Sequence, residues 1–212
     1  MIVLGLTGSI GMGKSVTARL FAEEGAAVCD ADRLVHDLYD VGGRAVGPVG
    51  AAFPGVAVEG KIDREALAAR VLGQPEALAR LEALVHPLVA EERAAFLAKA
   101  RADGVDVAVL DIPLLFETGA HEQMDAIVVV SAPLHIQRER VLARPGMTQA
   151  KLDAILGRQM SDQAKREKAD FVVDAGQGIE HARGQVRRIL AAVRDPAFKP
   201  RRTLASGGEA SH

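Results

Sequence analysis

The sequence predicts a doubly wound α/β fold built on a five-stranded parallel sheet. Five short runs rich in Val, Ala and Ile lack polar alternation, which is typical of strands buried on both faces. Segments of helical periodicity separate these runs, and a glycine-rich stretch joins the first run to the first helix. In chain order, the runs are IVLGL, AAVCD, VDVAVLD, AIVVVSA and DFVVDA.

The first strand, the glycine-rich loop and the first helix predict a phosphate-binding site. From Gly8 to Ser15 the loop fits G-x-x-x-x-G-K-[ST] at every fixed position, and a helix follows that ends at Gly25. Glycines let several backbone N–H groups converge on one anion, and the helix N-terminus adds unpaired donors. Lys14 would reach the β and γ phosphates of a nucleotide, and the Ser15 hydroxyl would ligate Mg²⁺. The alternative is a glycine-rich turn with a solvated Lys14, but the order of strand, loop and helix favours a P-loop.

Carboxylates follow the second and third strands at the edge where open α/β sheets bind ligands. Asp30 and Asp32 come after the second strand, and either could accept a proton from an attacking hydroxyl or help to order Mg²⁺. For Asp30, capping the next helix is an equal alternative. Asp111 ends the third strand and is the expected partner of the P-loop serine around Mg²⁺.

A long helical interval separates the second and third strands. Residues 33–104 contain no convincing strand, so we expect a helical insertion there. Asp63 is a candidate N-cap, and a later helix starts with Pro75 near its first position. Pro87 should kink or break that helix. His86, just before this proline, hydrogen-bonds either a substrate or the helix end at the kink.

A second helical excursion, between the fourth and fifth strands, is basic. Residues 137–168 hold eight Lys and Arg against four Asp and Glu, so this segment could close on phosphates as a lid. Arg140 and Arg144 are four residues apart and are expected on one helix face. The alternative is a solvated charged face with ordinary surface arginines.

The domain organisation follows from these intervals. One domain, residues 1–195, contains the sheet, the insertion and the lid. Residues 196–212 lose apolar periodicity and gain Pro, Gly and Ser, so we expect a flexible tail. The core segments are residues 1–32, 105–136 and 169–195.

The composition argues against a nucleic-acid-binding protein and against a membrane-spanning one. The 212 residues are 49% hydrophobic, which is enough for the core of one domain with a smaller subdomain. A formal net charge of −2 and 3% aromatic residues give no electrostatic or stacking argument for a nucleic-acid partner. No apolar run approaches the length of a membrane span, and the first run is interpreted as a strand rather than a signal peptide. Cys29 is the single cysteine and cannot form an intrachain disulfide, which favours a reducing cytoplasm. It is interpreted as a small buried residue in a strand.

Six motifs together resemble the dephospho-CoA kinase family. In order they are GLTGSIGMGKS, DADRLVHDL, GKIDREALAARVL, LEALVHPLV, DIPLLFE and ADFVVD. They span about residues 2–175, and PLLFE is far more specific than the P-loop. The resemblance implies a three-layer α/β/α P-loop NTPase fold with a helical acceptor-binding insertion and a helical lid. It also implies transfer of the γ-phosphoryl group of ATP, with Mg²⁺, to the ribose 3′-hydroxyl of dephospho-CoA, the last step of coenzyme A biosynthesis.

The resemblance further implies roles for single residues. Asp32 faces the acceptor hydroxyl, and Arg140 is the lid arginine, with Arg144 and Arg158 as alternatives. The catalytic residues are Lys14, Asp32 and Arg140. The nucleotide-binding residues are Gly11, Met12, Gly13, Lys14, Ser15 and Val16. The acceptor-binding residues are Thr7, Asp32, His86 and Leu114. The Mg²⁺ ligands, through ATP, are Ser15 and Asp111.

Other classes of nucleotide-binding protein fit less well. A GTPase switch should show D-x-x-G and N-K-x-D; the DIPL sequence at Asp111 does not match the first, and the second is absent from the sequence. Another small-molecule P-loop kinase would lack PLLFE, and a scaffold without catalysis would not need an acceptor-facing Asp. We therefore expect small-molecule substrates, no nucleic acid, no membrane, and a monomer or weak homo-oligomer.

Overall fold

The computed structural model describes residues 1–201, and it divides the chain into two compact units. Unit 1 combines Met1–Val28 with the chain from Ala100 onward, and unit 2 is Cys29–Lys99. The predicted insertion at residues 33–104 overlaps nearly all of unit 2. The predicted lid, residues 137–168, lies within unit 1.

One or more helices separate consecutive strands of the main sheet. The strands are β1 (Ile2–Thr7), β2 (Ala27–Asp30), β3 (Ala57–Val58), β4 (Lys61–Ile62), β5 (Val107–Asp111), β6 (Ala126–Ser131) and β7 (Phe171–Asp174). The α-helices are α1 (Lys14–Glu23), α2 (Ala31–Tyr39), α3 (Val46–Ala52), α4 (Arg64–Val71), α5 (Pro75–Ala102), α6 (Leu134–Leu142), α7 (Gln149–Leu156), α8 (Asp162–Glu167) and α9 (Ile179–Arg194). A short 3-10 helix spans Ala120–Gln123.

The main sheet has five strands in the order β2-β5-β1-β6-β7. The strand β1 pairs in parallel with β5 and with β6, and β6 pairs in parallel with β7. The five strands coincide with the five apolar runs, so the predicted parallel sheet is confirmed. Because β1 lies at its centre, the loop that follows β1 starts from the middle of the carboxyl edge.

Both faces of the central strands are buried, which explains why their sequences do not alternate with polar residues. On one face, Leu4 and Leu6 pack with Leu20 and Phe21 of α1 and with side chains of α9. On the other face, Gly5 lies so close to Met124 and Leu115 that a Cβ would approach their side chains to 2.7 and 2.8 Å. This three-layer α/β/α arrangement is the predicted fold class. Each fully buried Leu or Phe of this kind contributes about 1.5–3 kcal/mol through burial.

Unit 2 has its own apolar core, formed by α2 to α5 and a small hairpin. The predicted N-cap is confirmed, since the Asp63 side chain accepts from the backbone N–H groups of Glu65 and Ala66 at the start of α4. The helix α5 starts at Pro75, also as predicted. The hairpin of β3 and β4 was not expected, because two-residue strands are too short to produce a periodic signal.

Pro87 does not break α5, which runs for 28 residues from Pro75 to Ala102. Proline removes one backbone hydrogen bond, but apolar side chains on both sides of it, Val85 and Leu88 among them, join the core of unit 2. This packing holds the two halves in one helix, so a break at Pro87 is wrong, while the alternative, a kink, stays a prediction.

The start of the predicted tail packs onto unit 1. Phe198 joins the main core, and the Arg201 backbone N–H donates to the carbonyl of Asp125 at 2.8 Å. The expectation of a flexible tail therefore does not hold for residues 196–201, because one aromatic side chain is enough to anchor a short segment. Residues 202–212 of that predicted tail lie outside the described residues. Within residues 1–201, no helix has the length and apolar character that a bilayer crossing requires.

Candidate active site

The glycine-rich loop between β1 and α1 has a conformation that requires glycine. Gly11 and Gly13 have φ angles of +78° and +93°, in the left-handed region. A Cβ on Gly11 would lie 2.4 Å from the Val141 side chain and 3.0 Å from the backbone oxygen of Gln137. The helix α6, the first of the predicted lid, thus packs directly on the loop, and a larger residue at Gly11 would separate them.

Two glutamines of the predicted lid hold the tip of this loop. The Gln137 side chain donates to the carbonyl of Ile10 at 2.8 Å, and the Ile10 N–H donates to Oε1 of Gln159 at 3.3 Å. Gln137 is 2% exposed, which is unusual for a residue type that normally lies at the surface. Sequence reasoning missed both glutamines, because their partners are more than a hundred residues away in the chain.

The loop ends at the N-terminus of α1. Gly13 is the N-cap residue, and its carbonyl accepts from the N–H and the hydroxyl of Thr17 at 3.0 and 3.2 Å. The first turn carries Lys14 and Ser15 and no acidic side chain. Its backbone N–H groups and the positive end of the helix dipole therefore form an anion-binding position.

Lys14 and Asp111 form an ion pair at the carboxyl edge of the sheet. The Lys14 ammonium donates to Oδ1 of Asp111, the last residue of β5. Asp111 is 2% exposed, so this carboxylate needs a positive partner in the protein or in a ligand. Ser15 lies next to Lys14 and is exposed.

Thr7 is fully buried, and its hydroxyl donates to the carbonyl of Pro113 at 3.0 Å. This bond fixes the loop after β5, together with the bond from the Ile112 N–H to the carbonyl of Leu6 at 2.9 Å. Leu114 of the same loop is 41% exposed. The structure therefore brings Thr7 and Leu114 into the loop next to Asp111, with the Thr7 hydroxyl bonded inside the protein and Leu114 presented outward.

Arg140, one of the candidate arginines of the predicted lid, lies beside the P-loop. Its guanidinium donates to the carbonyl of Ala175 at 2.7 Å and lies 3.5 Å from the position that a Cβ of Gly13 would occupy. The spacing predicted that Arg144 shares a helix face with Arg140, but α6 ends at Leu142, before Arg144, so this prediction is wrong. Arg158 follows α7 and is exposed.

The remaining candidates belong to unit 2. The Asp30 side chain accepts from the backbone N–H groups of Asp32 and Arg33 at 2.9 and 3.1 Å, so it caps α2. Asp32 is the second residue of α2 and is exposed. His86 is an exposed residue within α5, so the alternative role of satisfying a helix end does not apply.

The carboxyl end of β7 carries another ordered carboxylate. Asp174 accepts from the Gln177 side chain at 2.6 Å and from the Gly176 N–H at 2.8 Å. These two hydrogen bonds hold the pKa of Asp174 below its usual value, despite the opposing effect of burial. The carboxylate thus orders the loop that contains Ala175, the partner of Arg140.

The oxygen donors near the P-loop suit Mg²⁺. Within residues 1–201, no group of three or more His, Cys, Asp or Glu side chains could hold a metal ion by itself. Ser15 and Asp111 supply a hydroxyl and a carboxylate, which are hard ligands of the type that Mg²⁺ takes in small number beside phosphate oxygens and water. These residues fit a Mg²⁺ ion that arrives with a nucleotide.

Comparisons with known proteins show which family the chain belongs to. A family model described as dephospho-CoA kinase matches residues 2–181. The chain is 58% identical over 194 residues to a dephospho-CoA kinase of Mesorhizobium japonicum, covering 92% of this chain and 98% of that protein. A dephospho-CoA kinase of Agrobacterium fabrum is 57% identical over 190 residues, with 90% and 97% covered. Among solved structures, TT1252 from Thermus thermophilus has a TM-score of 0.81 and 32% identity, with 92% and 98% covered. Dephospho-CoA kinase from Campylobacter jejuni has a TM-score of 0.66, with 90% and 96% covered, and at 24% identity it supports the fold.

Proposed function

The chain belongs to the dephospho-CoA kinase family, and from this premise we propose which of its residues transfer the γ-phosphoryl group of ATP to the ribose 3′-hydroxyl of dephospho-CoA. This reaction gives coenzyme A and ADP. The single observation that carries the proposal is the N-terminus of α1, where a glycine-capped turn carries Lys14 against the buried carboxylate of Asp111. Phosphoryl transfer needs positioning and charge stabilisation more than covalent help from the protein.

The backbone N–H groups from Gly11 to Val16 bind the phosphates of ATP. Lys14 exchanges its contact with Asp111 for the β and γ phosphates, where it neutralises the charge that develops during transfer. Met12 ties the loop to the segment after β6, because its sulfur accepts from the Ala132 N–H at 3.2 Å. The loop is therefore organised before ATP binds.

Mg²⁺ is expected to bind with ATP through the Ser15 hydroxyl and the Asp111 carboxylate. An ion held by these two residues would reduce the negative charge of the phosphates during transfer. Asp111 would then keep a positive partner after Lys14 has moved to the phosphates, which is what a buried carboxylate requires.

Asp32 is the general base for the acceptor. Its carboxylate is exposed, and the cap made by Asp30 fixes the turn on which Asp32 lies. The 3′-hydroxyl proton passes to Asp32 as the bond from the 3′-oxygen to the γ-phosphorus forms and the bond from that phosphorus to the bridging oxygen of ADP breaks. His86 and Leu114, both exposed, together with Thr7, are the further acceptor-site candidates.

Arg140 stabilises the transferring group from the lid side. Its position beside Gly13 supports this role over Arg144 and Arg158. We further infer a cytoplasmic enzyme that acts on small molecules without nucleic acid or membrane, as a monomer or weak homo-oligomer. The lone buried Cys29 supports a reducing compartment.

One assay tests the proposed activity. Purified protein is incubated with MgATP and dephospho-CoA, and coenzyme A is measured by mass spectrometry, with adenosine, AMP and shikimate as competing acceptors. We expect phosphorylation of dephospho-CoA far above that of the other acceptors. Preferred transfer to one of the competitors would contradict the proposed acceptor, and a lack of transfer without MgCl₂ would support the metal assignment.

A further inference from the structure

Glu117 ends the PLLFE motif and has no role in the proposed chemistry. Its Oε1 accepts from the Met160 N–H at 2.8 Å and lies 3.0 Å from Nζ of Lys165. Both partners belong to the lid, whereas Glu117 belongs to the loop that follows β5 and Asp111. One carboxylate thus joins two points of the lid to the loop beside the candidate active site.

Lys165, on α8, is completely buried. A lysine is almost never fully buried without a partner, because an ammonium group away from water loses a large solvation energy. Within residues 1–201 its Nζ makes no well-directed hydrogen bond, so the contact with Glu117 is an ion pair that supplies the compensating charge. Loss of the Glu117 charge would leave a buried ammonium without that compensation.

Glu117 carries its negative charge at neutral pH. Burial alone raises the pKa of this carboxyl group. Hydrogen bonds from the backbone N–H groups of Met160 and of Glu117 itself, together with the contact with Lys165, outweigh burial and hold the pKa below its usual value. The glutamate side chain is 19% exposed, so water screens the ion pair only in part.

The segment that Glu117 holds, residues 159–165, is called here the lid arm. At its first residue, Gln159 accepts from the Ile10 N–H of the P-loop at 3.3 Å. Farther along, Ser161 accepts from the Ala164 N–H at 3.2 Å, and Asp162 accepts from the Ser131 hydroxyl at 2.8 Å. The lid arm therefore connects the Glu117 contacts to the tip of the phosphate-binding loop.

We propose that Glu117 is a positioning residue that fixes the lid arm through Lys165 and Met160, so that Gln159 holds the P-loop tip at Ile10 in its phosphate-binding form. The proposal rests on the proposed function, since the P-loop must bind ATP for its position to affect turnover. The proposal thus assigns Glu117, the last residue of the PLLFE motif, to the binding of ATP.

Glu117→Gln tests the proposal, because the amide oxygen still accepts from Met160 while the charge that compensates Lys165 is lost. We expect MgADP to bind about fivefold more weakly and kcat for coenzyme A formation to fall about tenfold, since small displacements of binding groups are costly in rate. We also expect the Ile10 amide to exchange its hydrogen roughly tenfold faster, while amides in the middle of β1 exchange as in the parent protein.

A second variant and a matched control keep the test decisive. Gln159→Leu leaves the ion pair intact but removes the acceptor for Ile10, so it should reproduce the weaker MgADP binding and the faster Ile10 exchange even where Glu117→Gln does not fold. Asp106→Asn breaks the ion pair with Arg194, whose closest atoms are 2.7 Å apart, on the same unit but outside the lid and the P-loop. This control should leave MgADP binding and kcat unchanged.

Two results would overturn the positioning role. One is a lower melting temperature in Glu117→Gln with unchanged MgADP affinity, kcat and Ile10 exchange, which would make the ion pair purely structural. The other is unchanged MgADP binding in Gln159→Leu. Calorimetry with MgADP needs no acceptor, so a parent protein that failed to phosphorylate dephospho-CoA would refute the proposed function while the binding measurements still decided the role of Glu117.

Discussion

The two ends of the main sheet in unit 1 both carry aspartates, but these have different partners. At the amino end, Asp125 accepts from the Val3 N–H and Asp170 from the Ile127 N–H, each at 2.7 Å. Each of these aspartates directly precedes a strand and bonds the backbone of the neighbouring strand. At this end, carboxylates set the register of adjacent strands.

At the carboxyl end, the partners are side chains and loops rather than strand amides. Asp111 ends β5 and pairs with Lys14, while Asp174 ends β7 and orders the loop at Gly176 and Gln177. A mobile ammonium can exchange its carboxylate for a phosphate, whereas a strand N–H cannot leave its acceptor without loss of the sheet. The same residue type therefore supports stability at one end and chemistry at the other, and substitutions at the two ends should separate these effects.

Lys14→Ala at the carboxyl end should have the largest effect. Removal of one preorganised charge contact with the transferring phosphoryl group costs on the order of 3–4 kcal/mol, so kcat/KM should fall roughly two-hundred- to nine-hundredfold. Coenzyme A formation is measured in reactions that are quenched at set times, and circular dichroism checks the folding of the variant. Near-normal turnover would contradict the assignment of chemistry to the carboxyl end of the sheet.

Asp32→Asn tests whether the segment that follows β2 at the carboxyl end of the sheet also takes part in the chemistry. Asparagine keeps the size and polarity but cannot take the 3′-hydroxyl proton, so transfer should slow by roughly a hundredfold while MgATP binding is unchanged. The matched control is Asp30→Asn, because asparagine caps a helix as well as aspartate and this variant should transfer at the parent rate. Calorimetry with MgATP decides the interpretation, since a loss of binding in step with activity would assign Asp32 to the metal site instead.

Arg140→Ala should have a smaller effect on the rate, with kcat lowered about tenfold and MgATP binding lowered much less, because a lid cation acts mainly on the reacting phosphates. Its bond to the Ala175 carbonyl is exposed and contributes little to stability. Steady-state kinetics with varied ATP separates kcat from KM. An unchanged kcat would make Arg140 a surface arginine and move the assignment to Arg144 or Arg158.

Local sequence patterns made much of the fold and of the candidate site predictable. The apolar runs, the glycine spacing and the aspartate after β5 identify the sheet, the P-loop and Asp111, because each signal lies within a few consecutive residues. The contacts of Gln137, Gln159 and Lys165 were not predictable, since each joins segments far apart in the chain and polar side chains are ordinarily exposed. The packing of residues 196–201 was missed for the same reason, because Phe198 is a single apolar residue without periodicity.

The smallest expected effect belongs to the amino end. Asp170 bonds the Ile127 N–H and also pairs with Arg201, whose guanidinium lies 3.0 Å from the same carboxylate oxygen. In Asp170→Asn the amide oxygen still accepts from Ile127, but the charge that attracts Arg201 is lost. Because both partners are partly exposed, the free energy of unfolding should fall by only about 1 kcal/mol.

Urea unfolding of Asp170→Asn, Arg201→Ala and the double variant measures this contribution directly. Each single substitution should lower the unfolding midpoint, and the double variant should be less destabilised than the sum of the two, because both remove the same ion pair. Turnover should stay at the parent value in all three, since none of these groups exchanges its partner with a phosphate. A fall in kcat at unchanged stability would show that strand register at the amino end controls the positions of Asp111 and Lys14 at the carboxyl end. Stability and chemistry would then not be separated between the two ends of the sheet.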